Sequence, residues 1–117
     1  MTSDDELMRL AAIAYGAKAD EVNKGFYYDP VQPSLRGWQP LVNDEDAFRL
    51  MTKLKISLTF FKDYIFAIND ETGHTVWQPI KEINQSVRMA IVSCAAIEPA
   101  LDEQRYENEL SRFKEIS

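Results

Sequence analysis

The chain opens with polar residues and then becomes periodic. Ser3, Asp4, Asp5 and Glu6 precede Leu7, Leu10, Ala11, Ala14 and Tyr15, which recur at helical spacing. Ser3 and Glu6 stand at the separation of a capping box, and the acids suit the positive end of a helix dipole. The pattern predicts a helix over 3–16, with Gly16 as its stop unless Lys18 and Ala19 extend it. Residues 17–42 lose the period. A short strand is expected within Gly25–Asp29, Pro30 and Pro33 keep the following stretch irregular, and Gly37 allows a turn. Such a long connection needs aromatic anchors, and Phe26, Tyr28 and Trp38 are the candidates.

The period returns after Asn43. Asp44, Glu45 and Asp46 fall in a first turn, Asn43 can cap it, and Leu41 or Val42 can staple it near Ala47. Ala47, Leu50, Met51 and Leu54 form the apolar stripe of a helix over 44–54, with Phe48 on its flank. The pattern then alternates. Ile56, Leu58 and Phe60 interleave with Ser57, Thr59 and Phe61, and 56–78 is expected to be antiparallel strand. Lys62–Asp63 and Asn69–Gly73 are the turn signals, giving three short strands or one long bent strand and a hairpin. Pro79 ends the sheet. Val87, Ala90, Ile91, Cys94, Ala95 and Ile97 predict a helix over 86–97, and Leu101, Tyr106, Leu110 and Phe113 predict another over 100–114. Pro99 is expected to separate them. The fold class is α+β, in one domain of 117 residues. An antiparallel two- or three-stranded meander carries its helices on one face.

Charge narrows the function classes. The formal net charge is −6, and no cluster of basic residues offsets it. Nucleic acid and anionic membrane are therefore not expected as partners, while a basic protein surface is. The opening MTSDDELMRL is acidic where a secretory leader needs a basic flank, so a cytoplasmic location in the host cell is expected. The single cysteine excludes an internal disulfide.

Catalytic chemistry has few donors. One histidine, His74, and one cysteine, Cys94, cannot supply the nitrogen and sulfur set of a zinc site, and their expected placement argues against a nucleophilic triad. His74 is expected at a turn facing solvent, and Cys94 in the core. The acids at 44–46 read as a helix start, since adjacent first-turn positions point in different directions. The four glycines are scattered and form no phosphate loop. No catalytic residue, cofactor or metal is assigned. Arg49 and Arg88 are the candidate anionic-ligand or salt-bridge residues, Arg49 standing three and four positions after Asp46 and Glu45. The aromatic residues outnumber what a thin core can hold. Tyr27, Tyr28, Trp38, Phe61, Tyr64 and Trp77 are the candidate interaction surface, for a partner protein or for a homodimer.

Two runs carry a resemblance. In GWQPLVNDEDAFRLMTKLKI the matching residues are Trp38, Pro40, Leu41, Asp44, Asp46, Ala47, Arg49, Leu50, Lys53 and Leu54. In SVRMAIVSCAAIE they are Arg88, Ala90, Ile91, Val92, Ala95, Ala96 and Ile97. Together they resemble a family of small accessory proteins of tailed phages and prophages. Phe48 stands where that pattern has leucine, and Ser93–Cys94 replaces a plainer alanine-rich run. The resemblance implies a phage-encoded origin and no activity. The reading is a non-enzymatic protein-binding module acting on a host or phage protein. A small enzyme or anionic-ligand-binding domain and a phage structural protein are the alternatives.

Overall fold

The computed structural model describes residues 3–23, 25–31 and 37–116. Its elements are α1 (Asp4–Tyr15), β1 (Lys18–Ala19), β2 (Tyr27–Tyr28), α2 (Asp44–Leu54), β3 (Ile56–Phe60), β4 (Tyr64–Asn69), β5 (Thr75–Pro79) and α3 (Ile83–Ile116). The fold is α+β. β3, β4 and β5 form an antiparallel meander in that order, and β1 pairs with β2 in a separate small ribbon. Three separate strands replace the long-strand alternative. Pro33, one of the residues expected to keep the first connection irregular, lies outside the described residues.

Both early helices start where local chemistry placed them. The Ser3 hydroxyl accepts from the Glu6 backbone N–H at 3.2 Å, and Asn43 Oδ1 accepts from that of Asp46 at 3.0 Å. Each satisfies a first-turn N–H that has no partner within the helix. Gly16 ends α1 in the left-handed region, and Lys55 ends α2 there as well. Of the two staple candidates before α2, Leu41 is buried and Val42 is exposed.

The two helices expected at 86–97 and 100–114 are one. Pro99 sits inside α3, which begins at Ile83 rather than at Ser86. A proline removes one backbone N–H from the ladder. Two features offset that loss. Residues 90–96 are buried nearly all round, between the sheet and the other helices. Beyond the proline, Arg9 of α1 clamps Glu103 with two bonds of 2.8 Å. The start is set by Glu82, whose carboxylate accepts from the Asn84 and Gln85 N–H groups at 3.1 and 2.6 Å.

Strand register decides which side is covered. Ile65 and Ala67 of β4 are fully buried, opposite Phe60 and Leu58 on β3 and opposite Gln78 and Val76 on β5. They join a core with Leu50 of α2, Ala11 of α1 and Ala90, Val92 and Cys94 of α3. Each large buried aliphatic side chain there contributes roughly 1.5–3 kcal/mol. All three helices lie on this face, and the small side chains of α3 let α1 and the sheet approach it closely. The other face of the meander has no covering layer among the described residues.

Candidate functional site: the open aromatic face of the sheet

Residues one step out of phase with Ile65 and Ala67 point away from the core. On β4 these are Tyr64, Phe66 and Ile68. Phe66 is in register with Thr59 on β3 and with Trp77 on β5. The Phe66 and Trp77 ring centroids are 4.7 Å apart, and Phe61 reaches Trp77 from the β3–β4 turn at 5.6 Å. Phe61 closes that turn by donating its N–H to the Tyr64 carbonyl at 2.8 Å. Trp77 remains 59% exposed, Phe61 51% and Tyr64 46%. Tilted rings at these separations hold one another without burying themselves. The result is a pre-formed apolar strip on a rigid sheet.

Three of the six expected surface residues, Phe61, Tyr64 and Trp77, therefore come together. Phe66 belongs with them and escaped the sequence reading, although its alternation with Tyr64 and Ile68 was the available signal. Tyr27 and Tyr28 lie elsewhere, on the small ribbon, where Tyr27 is half-buried. Trp38 corrects the expectation, being only 2% exposed. Its ring stacks on Tyr15 at 5.0 Å, and its backbone N–H donates to the Tyr27 carbonyl at 2.8 Å. Gly37 permits this approach, since a Cβ there would come within 2.9 Å of the same carbonyl. Trp38 Nε1 is buried with no hydrogen-bond partner among the described residues. The other two expected anchors, Phe26 and Tyr28, are exposed at 49% and 38%. The connection is held instead by Tyr15, whose hydroxyl donates to buried Asp29 at 2.6 Å. Burial pushes the Tyr15 hydroxyl up to about 12, and the neighbouring Asp29 carboxylate adds to the shift.

Both arginines are engaged within the protein. Arg49 is paired with Glu45 and lies 3.9 Å from Asp46. Arg88 donates to the Leu41 carbonyl at 3.0 Å, to Asp44 and to Gln85. They line two different grooves, Arg49 with Lys53 and Tyr15, and Arg88 with Phe48 and Met51. The acids at 44–46 diverge. Asp44 meets Arg88, Glu45 meets Arg49, and buried Asp46 accepts from the Gln39 N–H at 2.9 Å.

His74 departs from its expected place in solvent. Its Nε2 lies 2.5 Å from Glu98 on α3, and the side chain is only a quarter exposed. The Cys94 thiol meets the His74 backbone carbonyl at 3.7 Å, not the imidazole. Burial raises that thiol to about 11, far from a reactive thiolate at neutral pH. Among the described residues no group of three His, Cys, Asp or Glu side chains is placed to hold a metal ion. A half-open groove of about 340 Å³ between the start of α1 and the 37–42 segment is lined mainly by Met8, Phe26, Tyr27, Trp38 and Leu41. Asp4 and Asp5 also line it, with no histidine, lysine or arginine among its described lining residues. No helix among the described residues is long and apolar enough to cross a membrane.

Fold and site together define an α+β domain with helices on one face of a three-stranded meander and an exposed aromatic strip on the other. Compared with known proteins, the chain matches no family model, no curated protein and no solved structure.

Proposed function

We propose that the protein is a non-enzymatic protein-binding module that docks a host or phage protein on the open face of its meander. The observation that carries this reading is the Phe61–Trp77–Phe66 cluster, in which Trp77 contacts both phenylalanines while Trp77 and Phe61 stay largely in solvent and Phe66 is half-buried. Aromatic anchors on a rigid support supply much binding area for little ordering entropy, which is what a docking hot spot requires. The net charge of −6 favours a partner with a basic rim around an apolar centre. The phage-encoded origin belongs to this proposal and rests on the two motif runs. Those runs meet in space through the bond from Arg88 to the Leu41 carbonyl.

The test is a paired capture. Immobilised wild-type protein and a Phe61→Ser/Trp77→Ser variant of matching circular dichroism are exposed to lysate of the host cell. A partner held by the wild type and lost from the variant supports the reading. Equal capture by both, or no specific capture by the wild type, refutes it.

A further inference from the structure

A second exposed apolar surface lies on the C-terminal part of α3. Beyond Glu103, the last residue clamped by α1, α3 continues from Gln104 to Ile116. At about 1.5 Å per residue this overhang is roughly 20 Å long. Every residue from Gln104 to Lys114 is exposed. Within it Tyr106, Leu110 and Phe113 are spaced four and three apart, so they share one stripe. They are 64%, 44% and 73% exposed. A helix of this length is marginal in water unless its apolar side is covered.

We infer that the overhang pairs antiparallel with the same segment of a second copy of this chain, forming a short two-helix seam. The charges flanking the stripe select this occupant. Glu107 and Lys114 lie seven residues apart on the same flank, with opposite signs. When Leu110 packs beside Phe113 of the second copy, an antiparallel two-fold arrangement sets Glu107 against Lys114 of that copy, twice. A parallel arrangement would still pair Glu109 with Lys114, but it would set Asp102 against Glu107. It would also bring two bodies of net charge −6 side by side, whereas the antiparallel seam holds them at opposite ends. Lys114 also has an interaction within its own chain, and its three ammonium N–H groups can serve more than one acceptor. Three apolar side chains per copy bury less than the ~1,200 Å² of a small stable interface. The dimer is therefore weak and concentration-dependent. It stands apart from the partner-binding reading, because it uses none of the sheet residues.

Sedimentation velocity on the full chain, from low micromolar to near-millimolar, measures the association. The wild type is expected to shift from monomer to dimer, and Leu110→Glu to remain monomeric with an unchanged unfolding midpoint of the body. Glu107→Lys raises the dissociation constant several-fold, and adding Lys114→Glu restores it. For orientation, Glu107→Cys and Lys114→Cys proteins mixed under mild oxidation should cross-link to each other. A wild type that stays monomeric throughout overturns the inference. So does a dimer untouched by Leu110→Glu, or a Glu107→Cys protein that cross-links efficiently to itself.

Discussion

The Arg88 Nε donates to the backbone carbonyl of Leu41 at 3.0 Å, across 47 residues of chain. This bond ties the segment before α2 to the second turn of α3, and the guanidinium also reaches Asp44. The two acceptors are unequal. The Asp44 side chain is 77% exposed, so that ion pair is screened by water, whereas the Arg88 side chain is only 15% exposed. Arg88→Ala is expected to cost about 1–3 kcal/mol, because it leaves a carbonyl without its charged donor. Asp44→Ala should cost less than about 1 kcal/mol. Urea unfolding of the two variants checks the order. Equal losses would show that the exposed pair, not the carbonyl bond, holds the two segments together.

Tyr15 and Asp29 make the matching tie on the other side of the connection. The Tyr15 hydroxyl is neutral in the folded protein up to about 12, against an ordinary 10.0. A raised folded value means that the stabilisation is complete below the ordinary value and is lost as pH rises through the folded one. Stability should therefore decline between about pH 10 and pH 12. Tyr15→Phe should cost about 1–3 kcal/mol at neutral pH, since the lost bond has a charged acceptor. It should also shrink the alkaline decline. Thermal melts across that range give both readouts, and an alkaline limb unchanged in the variant would contradict the assignment.

The acid side reports on the clamp between α1 and α3. The Arg9 guanidinium holds the Glu103 and Glu6 carboxyls below their ordinary value of 4.5. A depressed folded value gives stabilisation that is present above the ordinary value and lost as pH falls through the folded one. All three groups are open to solvent, so the effect on the melting midpoint is modest. It should nevertheless appear below about pH 4.5 in the wild type and be smaller in Glu103→Gln. Amide exchange along residues 100–103 should rise in that variant at neutral pH. Unchanged exchange there would mean that Arg9 does not hold the helix beyond Pro99.

The two tryptophans should separate in fluorescence. Trp38 is 2% exposed and stacked on Tyr15, while Trp77 is 59% exposed. Iodide should quench one component readily and leave the other. Trp77→Phe should remove the quenchable component with little loss of stability, and Trp38→Phe should instead destabilise the fold by a few kcal/mol, as expected for a truncated buried aromatic. Quenching that persists in Trp77→Phe would place Trp38 in solvent and refute the assignment of faces.

The sequence by itself determined what lies within a few residues of its cause. The caps at Ser3 and Asn43, the stop at Gly16 and the turn at Asn69–Gly73 follow from contacts a few positions apart, the acids of the α2 first turn from the helix dipole, and the strands from their two-residue alternation. The α+β class follows from their order. Tertiary structure decided the rest, because the deciding contacts join distant parts of the chain. Trp38 and Trp77 look alike in sequence, yet one is stacked against α1 and the other stands on the outer face of a sheet whose inner face the helices took. Phe66 joined the open face for the same reason of register. Pro99 could have divided α3, but burial before it and the Arg9–Glu103 bond after it, across 94 residues, kept the helix whole. His74 found Glu98 in the same way, 24 residues on. Pattern along the chain states which side chains prefer to be buried. Only the packing of whole elements settles which of them are, since a small core has fewer places than this chain has aromatic rings.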